Sequence, residues 1–296
     1  MSDMVLQGKL SCAKKGIAFC KSQICSAATN FKAALTGSDY EECLAFEDDA
    51  GNNDDVDVDD GNYDSTGECS DDEFTNDCKT VPSSGNNVEV LGEEIPHCGT
   101  FSWKFPVEIS QSTLDGRNGS SACSVIALIF AHGVWHERLH LQPTRSLSPL
   151  WVMLLFASIR VGNRLYDRCR HSLPQRFLSA SEAATVAEQC VSVSVLSPLA
   201  VRVCDDHAPT TLVHQLSALC DGTHGNAALL IANEKTVLFL PLAGQSIALV
   251  DSHRHGDHGA EILLGRQTIL DQFVGACQKV LDLNDDTYCN LSFIYF

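Results

Sequence analysis

The chain has 296 residues, of which 44% are hydrophobic, with 14 cysteines and a formal net charge of −18. That apolar content suffices for a genuine core in one or two domains, and the acidic balance excludes an electrostatic nucleic-acid-binding surface. No two cysteines form a CxxC pair, which argues against a structural zinc site. The start Met1-Ser2-Asp3-Met4 lacks the pattern of a secretory signal, so free thiols in a reducing compartment, cytoplasmic and/or nuclear, are expected.

The charge is unevenly placed. Residues 1–95 carry a net of −15 and residues 96–296 a net of −3. Runs such as Glu47-Asp48-Asp49-Ala50-Gly51-Asn52-Asn53-Asp54-Asp55 repel themselves and offer little apolar area to offset the entropy of ordering. Residues 1–95 are therefore expected to form an acidic, disordered leader, with docking to a basic partner or autoinhibition as its sharper uses. Residues 96–296 are expected to form the folded domain.

In chain order, the alternating aromatics of Thr100–Val107 predict a strand, and Gln111–Asn118 a polar turn. An apolar helix is predicted to start near Cys123, and a long amphipathic one to span Ser146–Arg170. The apolar run Leu150–Ile159 inside it is too short to cross a bilayer. Ser181 is expected to cap a helix reaching Gln189, and Val191–Val203 reads as strand. Thr210–Leu219 is predicted helical. Strands follow near Ala227–Ala232, Thr236–Pro241 and Ile247–Asp251, then a helix over Gln267–Leu281 and a strand over Asn290–Phe296. Helices first and an antiparallel meander last imply an α+β class.

Two of these elements carry chemistry. Cys123 opens the apolar run Ala122–Phe130, so its thiol would sit at the positive end of a helix dipole, which favours thiolate. His253 follows the strand ending at Asp251, and a carboxylate two residues earlier lies on the same side of the pleat, where it can hold the imidazole in one tautomer. Taken alone, a cysteine that begins an apolar run is more often a small core residue. Together, and in the order Cys then His, these residues supply a nucleophile, a base and its orienter for acyl transfer. Gln111, twelve residues before Cys123, is a candidate donor to a developing oxyanion.

The set Gln111, then Gly116-Arg117-Asn118-Gly119-Ser120-Ser121-Ala122-Cys123, then Val250-Asp251-Ser252-His253, then Gly259-Ala260-Glu261-Ile262-Leu263-Leu264 resembles the herpesvirus tegument deubiquitinases and their tegument-like relatives, over roughly residues 100–296. The resemblance implies a papain-like cysteine protease fold, with a helix-borne Cys and an antiparallel sheet bearing the Asp-x-His motif. It also implies Cys123 as nucleophile, His253 as base, Asp251 as orienter and Gln111 as oxyanion donor. The implied substrate is ubiquitin or polyubiquitin, or another ubiquitin-like modifier, cleaved after Gly-Gly. No cofactor, nucleic acid or membrane is called for.

Two alternatives stand beside this reading. His253-Arg254-His255-Gly256-Asp257-His258 spells H-x-H-x-D-H, the zinc signature of metallo-β-lactamase-fold hydrolases, although no histidine follows it to complete such a site. The same domain could instead be a catalytically inactive ubiquitin-binding module. Cys204-Asp205-Asp206-His207 is a weaker Cys/Asp/His cluster, because Cys204 does not begin a helix. His132 and His136 share a helix face.

Overall fold

The computed structural model describes residues 88–296, except 174, 189, 204–209 and 285–286. The acidic segment 1–87 and the Cys204–His207 cluster lie outside the described residues.

Strands β5 (Ala227–Ala232), β6 (Lys235–Leu242), β7 (Ser246–Asp251) and β8 (Glu261–Arg266) are apolar at nearly every position, not at alternate ones. An antiparallel sheet with such strands must be covered on both faces, and this one is. Ala248, Val250, Leu238 and Ile262 point into one core, while Ile247, Leu249, Phe239 and Leu263 point into a second. Helices α1 (Cys123–Glu137), α2 (Pro149–Cys169) and α3 (Ala180–Ala187) build the first core; α4 (Leu212–Cys220) and α5 (Leu270–Leu281) build the second.

With β1 (Gly92–Ile95), β2 (Thr100–Lys104), β3 (Ser194–Val195), β4 (Leu199–Arg202) and β9 (Tyr288–Tyr295), the described strands form one sheet in the order β1-β2-β8-β7-β6-β5-β9-β3, and β4 also pairs with β9. Every pairing is antiparallel. The β5–β6 hairpin closes through Asn233 and Glu234, both at positive φ (48° and 62°), as a two-residue turn that matches strand twist requires. The class is mixed helix and antiparallel sheet.

Several expectations are corrected. The described fold starts before residue 96: Val90 is buried and β1 pairs with β2. Glu261–Arg266, not expected as a strand, is β8, bonded to both β2 and β7; its polar ends and penultimate Gly265 hide it from pattern reading. The single strand expected over Val191–Val203 is broken into β3 and β4, with Pro198, which has no N–H to donate, between them. The cap of α3 is Ser179 rather than Ser181, in a capping box: Ser179 Oγ accepts from Glu182 N at 3.3 Å, and Ser179 N donates to Glu182 Oε2 at 2.8 Å. The helix expected over Ser146–Arg170 begins at Pro149, where proline is favoured as first helical residue.

Close approaches without a side chain bring the segments around the site together. A Cβ on Gly162 of α2 would lie 2.5 Å from Ile126 Cγ1 and 3.1 Å from its backbone, so α2 packs directly on the first turn of α1. A Cβ on Gly259 would lie 2.2 Å from Ile109 O and 2.3 Å from Pro106 O, so the 105–111 segment rests against the backbone leading into β8. Hydrogen bonds from Gly259 N to Phe105 O (2.8 Å), Ala260 N to Ile109 O (2.7 Å) and Gln111 N to Ser252 O (2.8 Å) lace that segment to the start of β8 and the end of β7.

Candidate active site

Helix α1 starts at Cys123, and side-chain hydrogen bonds pin the residues just before it. Ser120 Oγ accepts from Ala122 N at 3.1 Å and donates to Asn163 Oδ1 at 2.6 Å, and Ser121 Oγ accepts from Arg176 Nε at 2.8 Å. Ala122, the N-cap, has no side-chain acceptor. The unpaired N–H groups of the first turn, and the positive end of the helix, thus surround the Cys123 thiol. Six consecutive residues from Cys123 to Leu128 are buried, so α1 is a central helix whose start cannot shift without disturbing the core. Ser124 Oγ anchors that start, donating to Leu178 O at 3.1 Å and sharing a 2.7 Å hydrogen bond with Thr236 Oγ1 of β6.

The end of β7 supplies the opposing wall. Asp251 is completely buried, and its Oδ1 accepts from both His253 N (2.9 Å) and His253 Nδ1 (2.5 Å). The two-residue spacing makes this possible, since the carboxylate reaches back over one peptide to hold ring and backbone of the same residue. Nδ1 is committed to Asp251, so Nε2 is the nitrogen left for the thiol. A second imidazole flanks the carboxylate: His255 Nε2 lies 3.1 Å from Asp251 Oδ2, at an angle outside hydrogen-bond geometry, and both atoms are buried without a hydrogen bond.

The electrostatics follow. Burial raises the Cys123 thiol, but the hydrogen bond and charge of His253, with hydrogen bonds from Thr236, outweigh it and leave the pKa below the ordinary thiol value. Burial opposes charge on His253 too, yet Asp251 and then Cys123 push it up to about 10. Asp251 is held well below the usual carboxylate range: burial again opposes, and His253 and His255 override it. The cluster is built for a thiolate–imidazolium–carboxylate arrangement. By contrast, burial pushes Cys220 and Cys289 to about 11 and raises Cys169 and Cys277. All of these thiols are free, but Cys123 has the electropositive setting that makes one reactive.

Gln111 joins the two walls. Its Oε1 accepts from Ser252 Oγ at 3.0 Å, its Nε2 donates to Ser120 O at 3.3 Å, and its carbonyl accepts from Asn163 Nδ2 at 3.0 Å. It therefore spans from the residue between Asp251 and His253 to the turn before Cys123. The amide has a second N–H beyond the one given to Ser120. Two bidentate pairs, Arg117 with Asp167 (2.7 and 3.0 Å) and Arg160 with Asp115 (2.8 and 2.7 Å), fix the intervening loop on α2.

All four residues singled out from the sequence, Cys123, His253, Asp251 and Gln111, thus fall in one buried neighbourhood. The sequence reading missed Asn163, Ser252, Thr236 and the contact of His255 with Asp251. Asn163 carried a usable signal: it is a polar residue on the buried stripe Ile159, Gly162, Asn163, Tyr166 of α2. The H-x-H-x-D-H run does not converge on one point. His253 is taken up by Asp251 and Cys123, while the described group that could hold a metal is His255 and His258 of that run with Glu261 from beyond it.

No protein-family model matches the chain, and no curated protein matches it. Among solved structures, the ubiquitin-specific protease encoded by a murine cytomegalovirus tegument protein, in complex with a ubiquitin-based suicide substrate, is similar with a TM-score of 0.48 and 13% sequence identity, over 64% of this chain and 84% of that one. Among the described residues, no helix is long and apolar enough to cross a membrane.

Proposed function

We propose that this chain is a cysteine-type deubiquitinase. The observation that carries the reading is the geometry at Cys123: a helix-start thiol with a lowered pKa, beside an imidazole whose other nitrogen is held 2.5 Å from a buried carboxylate. Ubiquitin as substrate rests on the resemblance of the motif set to the tegument deubiquitinases. Burial of the site supports it, since Cys123 is only 4% exposed and the His253 side chain 11%. An acyl chain reaching that sulfur is best accommodated when the two residues before the scissile bond are glycines.

In this mechanism the Cys123 thiolate attacks the carbonyl carbon after Gly-Gly, and the electron pair moves to the carbonyl oxygen. N–H groups of the first turn of α1 and the amide of Gln111 stabilise that oxyanion. Collapse of the tetrahedral species breaks the C–N bond as His253 Nε2 gives its proton to the leaving amine, which leaves a thioester. Water, deprotonated by His253, then attacks the thioester; the C–S bond breaks, the carboxylic acid leaves and gives its proton to solvent, and the thiolate–imidazolium pair returns. Asp251 keeps Nδ1 protonated throughout.

The test is release of a fluorophore from the C-terminal amide of ubiquitin by the full, reduced chain, with and without a metal chelator. Release is expected in both conditions. Loss of release with chelator contradicts a thiol mechanism and favours a metallohydrolase; no release in either condition, with the thiols confirmed free, favours the inactive binding module.

A further inference from the structure

The connection between β7 and β8 holds a second cluster, which touches the thiol site only where His255 flanks Asp251. His255 and His258 are cross-bonded in a tight hairpin, with His255 N donating to His258 O at 3.0 Å and His258 N to His255 O at 3.1 Å. Gly256 and Asp257 form its turn. Pairing the two backbones stacks the imidazoles, with centroids 4.9 Å apart and planes 14° off parallel. Glu261, at the start of β8 and 3% exposed, closes the group from below. Its Oε1 accepts from Ser102 Oγ at 2.6 Å, which fixes the carboxylate and turns Oε2 to His258 Nε2 at 3.2 Å.

We propose that His255, His258 and Glu261 form a binding site for a divalent transition metal of the zinc class, at the hairpin beside the thiol site and distinct from it. One ligand atom from each of the three lies within 4.8 Å of the others. Tetrahedral zinc with bonds of about 2.1 Å places its ligand atoms roughly 3.4 Å apart. The His258–Glu261 separation of 3.2 Å already matches that edge, and side-chain rotation closes the rest. Two imidazoles and one carboxylate suit zinc rather than calcium or magnesium, with water completing the shell.

A second observation points the same way. Both ring nitrogens of His258 face carboxylates: Nδ1 lies 2.8 Å from Asp257 Oδ1 while Nε2 faces Glu261. A neutral imidazole donates through one nitrogen only. With Nδ1–H given to Asp257, Nε2 and Glu261 Oε2 face each other 3.2 Å apart, a spacing that a shared cation can bridge. A carboxylate on the outer nitrogen is also the arrangement that orients metal-ligating histidines. On the other side of the cluster, Asp251 Oδ2, on a completely buried residue, stands beside His255 Nε2, and neither atom has a hydrogen bond.

The site is tested with the full, reduced, metal-free chain carrying Cys123→Ser, so that zinc on the nucleophile does not contribute. Zinc is titrated in competition with a chromophoric chelator, and the same titration is repeated with His258→Ala added and, separately, with His255→Ala added. Zinc bound by the remaining cysteines cancels in the difference. The proposal predicts that each added substitution removes one equivalent of zinc or weakens it by on the order of 10- to 100-fold. It also predicts loss of the cobalt d–d absorption of that equivalent, without loss of thiolate-to-cobalt charge transfer. Circular dichroism of the three chains confirms the fold. Equal zinc stoichiometry and affinity in all three overturn the proposal and leave the group as a protonated ion-pair cluster. The readout is bound metal rather than hydrolysis, so the result is independent of the deubiquitinase reading.

Discussion

Replacing Cys123 by Ala is expected to reduce hydrolysis of the ubiquitin C-terminal amide to the uncatalysed background and to remove one reactive thiol from the native protein. The size of the effect follows from the chemistry. Without sulfur no acyl-enzyme forms, and neither His253 nor the helix start can substitute for the missing nucleophile. The fold is expected to survive, because alanine removes a single buried sulfur and leaves the Asp251–His253 pair, the Ser124–Thr236 hydrogen bond and the packing of α1 on α2 in place; the stability change should stay within about 1–2 kcal/mol. Labelling with a thiol reagent at neutral pH gives an independent check. Burial raises Cys220, Cys277 and Cys289, so these should remain slow in the native chain, and peptide mapping should find Cys123 labelled well ahead of these equally folded thiols. Labelling of Cys123 no faster than that of Cys220, Cys277 and Cys289 contradicts this assignment.

The Asp251→Asn substitution is expected to be nearly as damaging to turnover, on the order of 10³- to 10⁴-fold, although it adds and removes almost no volume. The amide cannot neutralise an imidazolium, and it offers an N–H where His253 Nδ1 needs an acceptor, so the ring loses its tautomer and its proton affinity together. With His253 easier to deprotonate, the Cys123 thiolate loses its partner, and the pH at which labelling becomes fast moves upward. Stability carries a second signature. Asp251 lies below its unfolded value of about 3.9, so its contribution is present above that pH and fades on acidification through its folded pKa. His253 is raised to about 10 from an unfolded value of about 6.5, so its contribution is complete below 6.5 and fades as pH rises toward 10. The stability gap between the native chain and the Asn variant should therefore be largest between about pH 4 and 6.5 and shrink on both sides, as read from denaturation midpoints across pH. A gap that does not vary with pH contradicts the ion-paired description of the site.

Much of the site was legible in the sequence because its parts are local. A cysteine opening an apolar run places a thiol at a helix start, and Asp-x-His after a strand places a carboxylate against an imidazole, whatever the rest of the fold does. Gln111 was legible as a candidate oxyanion donor from its place upstream of Cys123, but nothing in a polar turn announces that its amide bridges Ser252 and Ser120. Asn163, Ser252 and Thr236 act across 43 to 141 residues of sequence, through contacts fixed by sheet register and helix packing, and no local pattern encodes those. The same limit explains β8. Its Glu261 is polar in sequence yet buried in the fold, because Ser102 and His258 satisfy it, and its Gly265 breaks the strand pattern while making room for Phe273. The H-x-H-x-D-H run shows the converse. Spacing that reads as a single zinc motif is divided by the end of β7, so that His253 turns to the thiol and His258 turns to Glu261.

The most direct test of the central claim is incubation of the full, reduced chain with ubiquitin carrying a thiol-reactive electrophile at its C-terminus, followed by intact mass and peptide mapping. The account predicts one ubiquitin per chain, bound at Cys123, absent in the Cys123→Ala variant and formed more slowly in the Asp251→Asn variant. An unmodified chain whose Cys123 is free, or an adduct on any other cysteine, would contradict it.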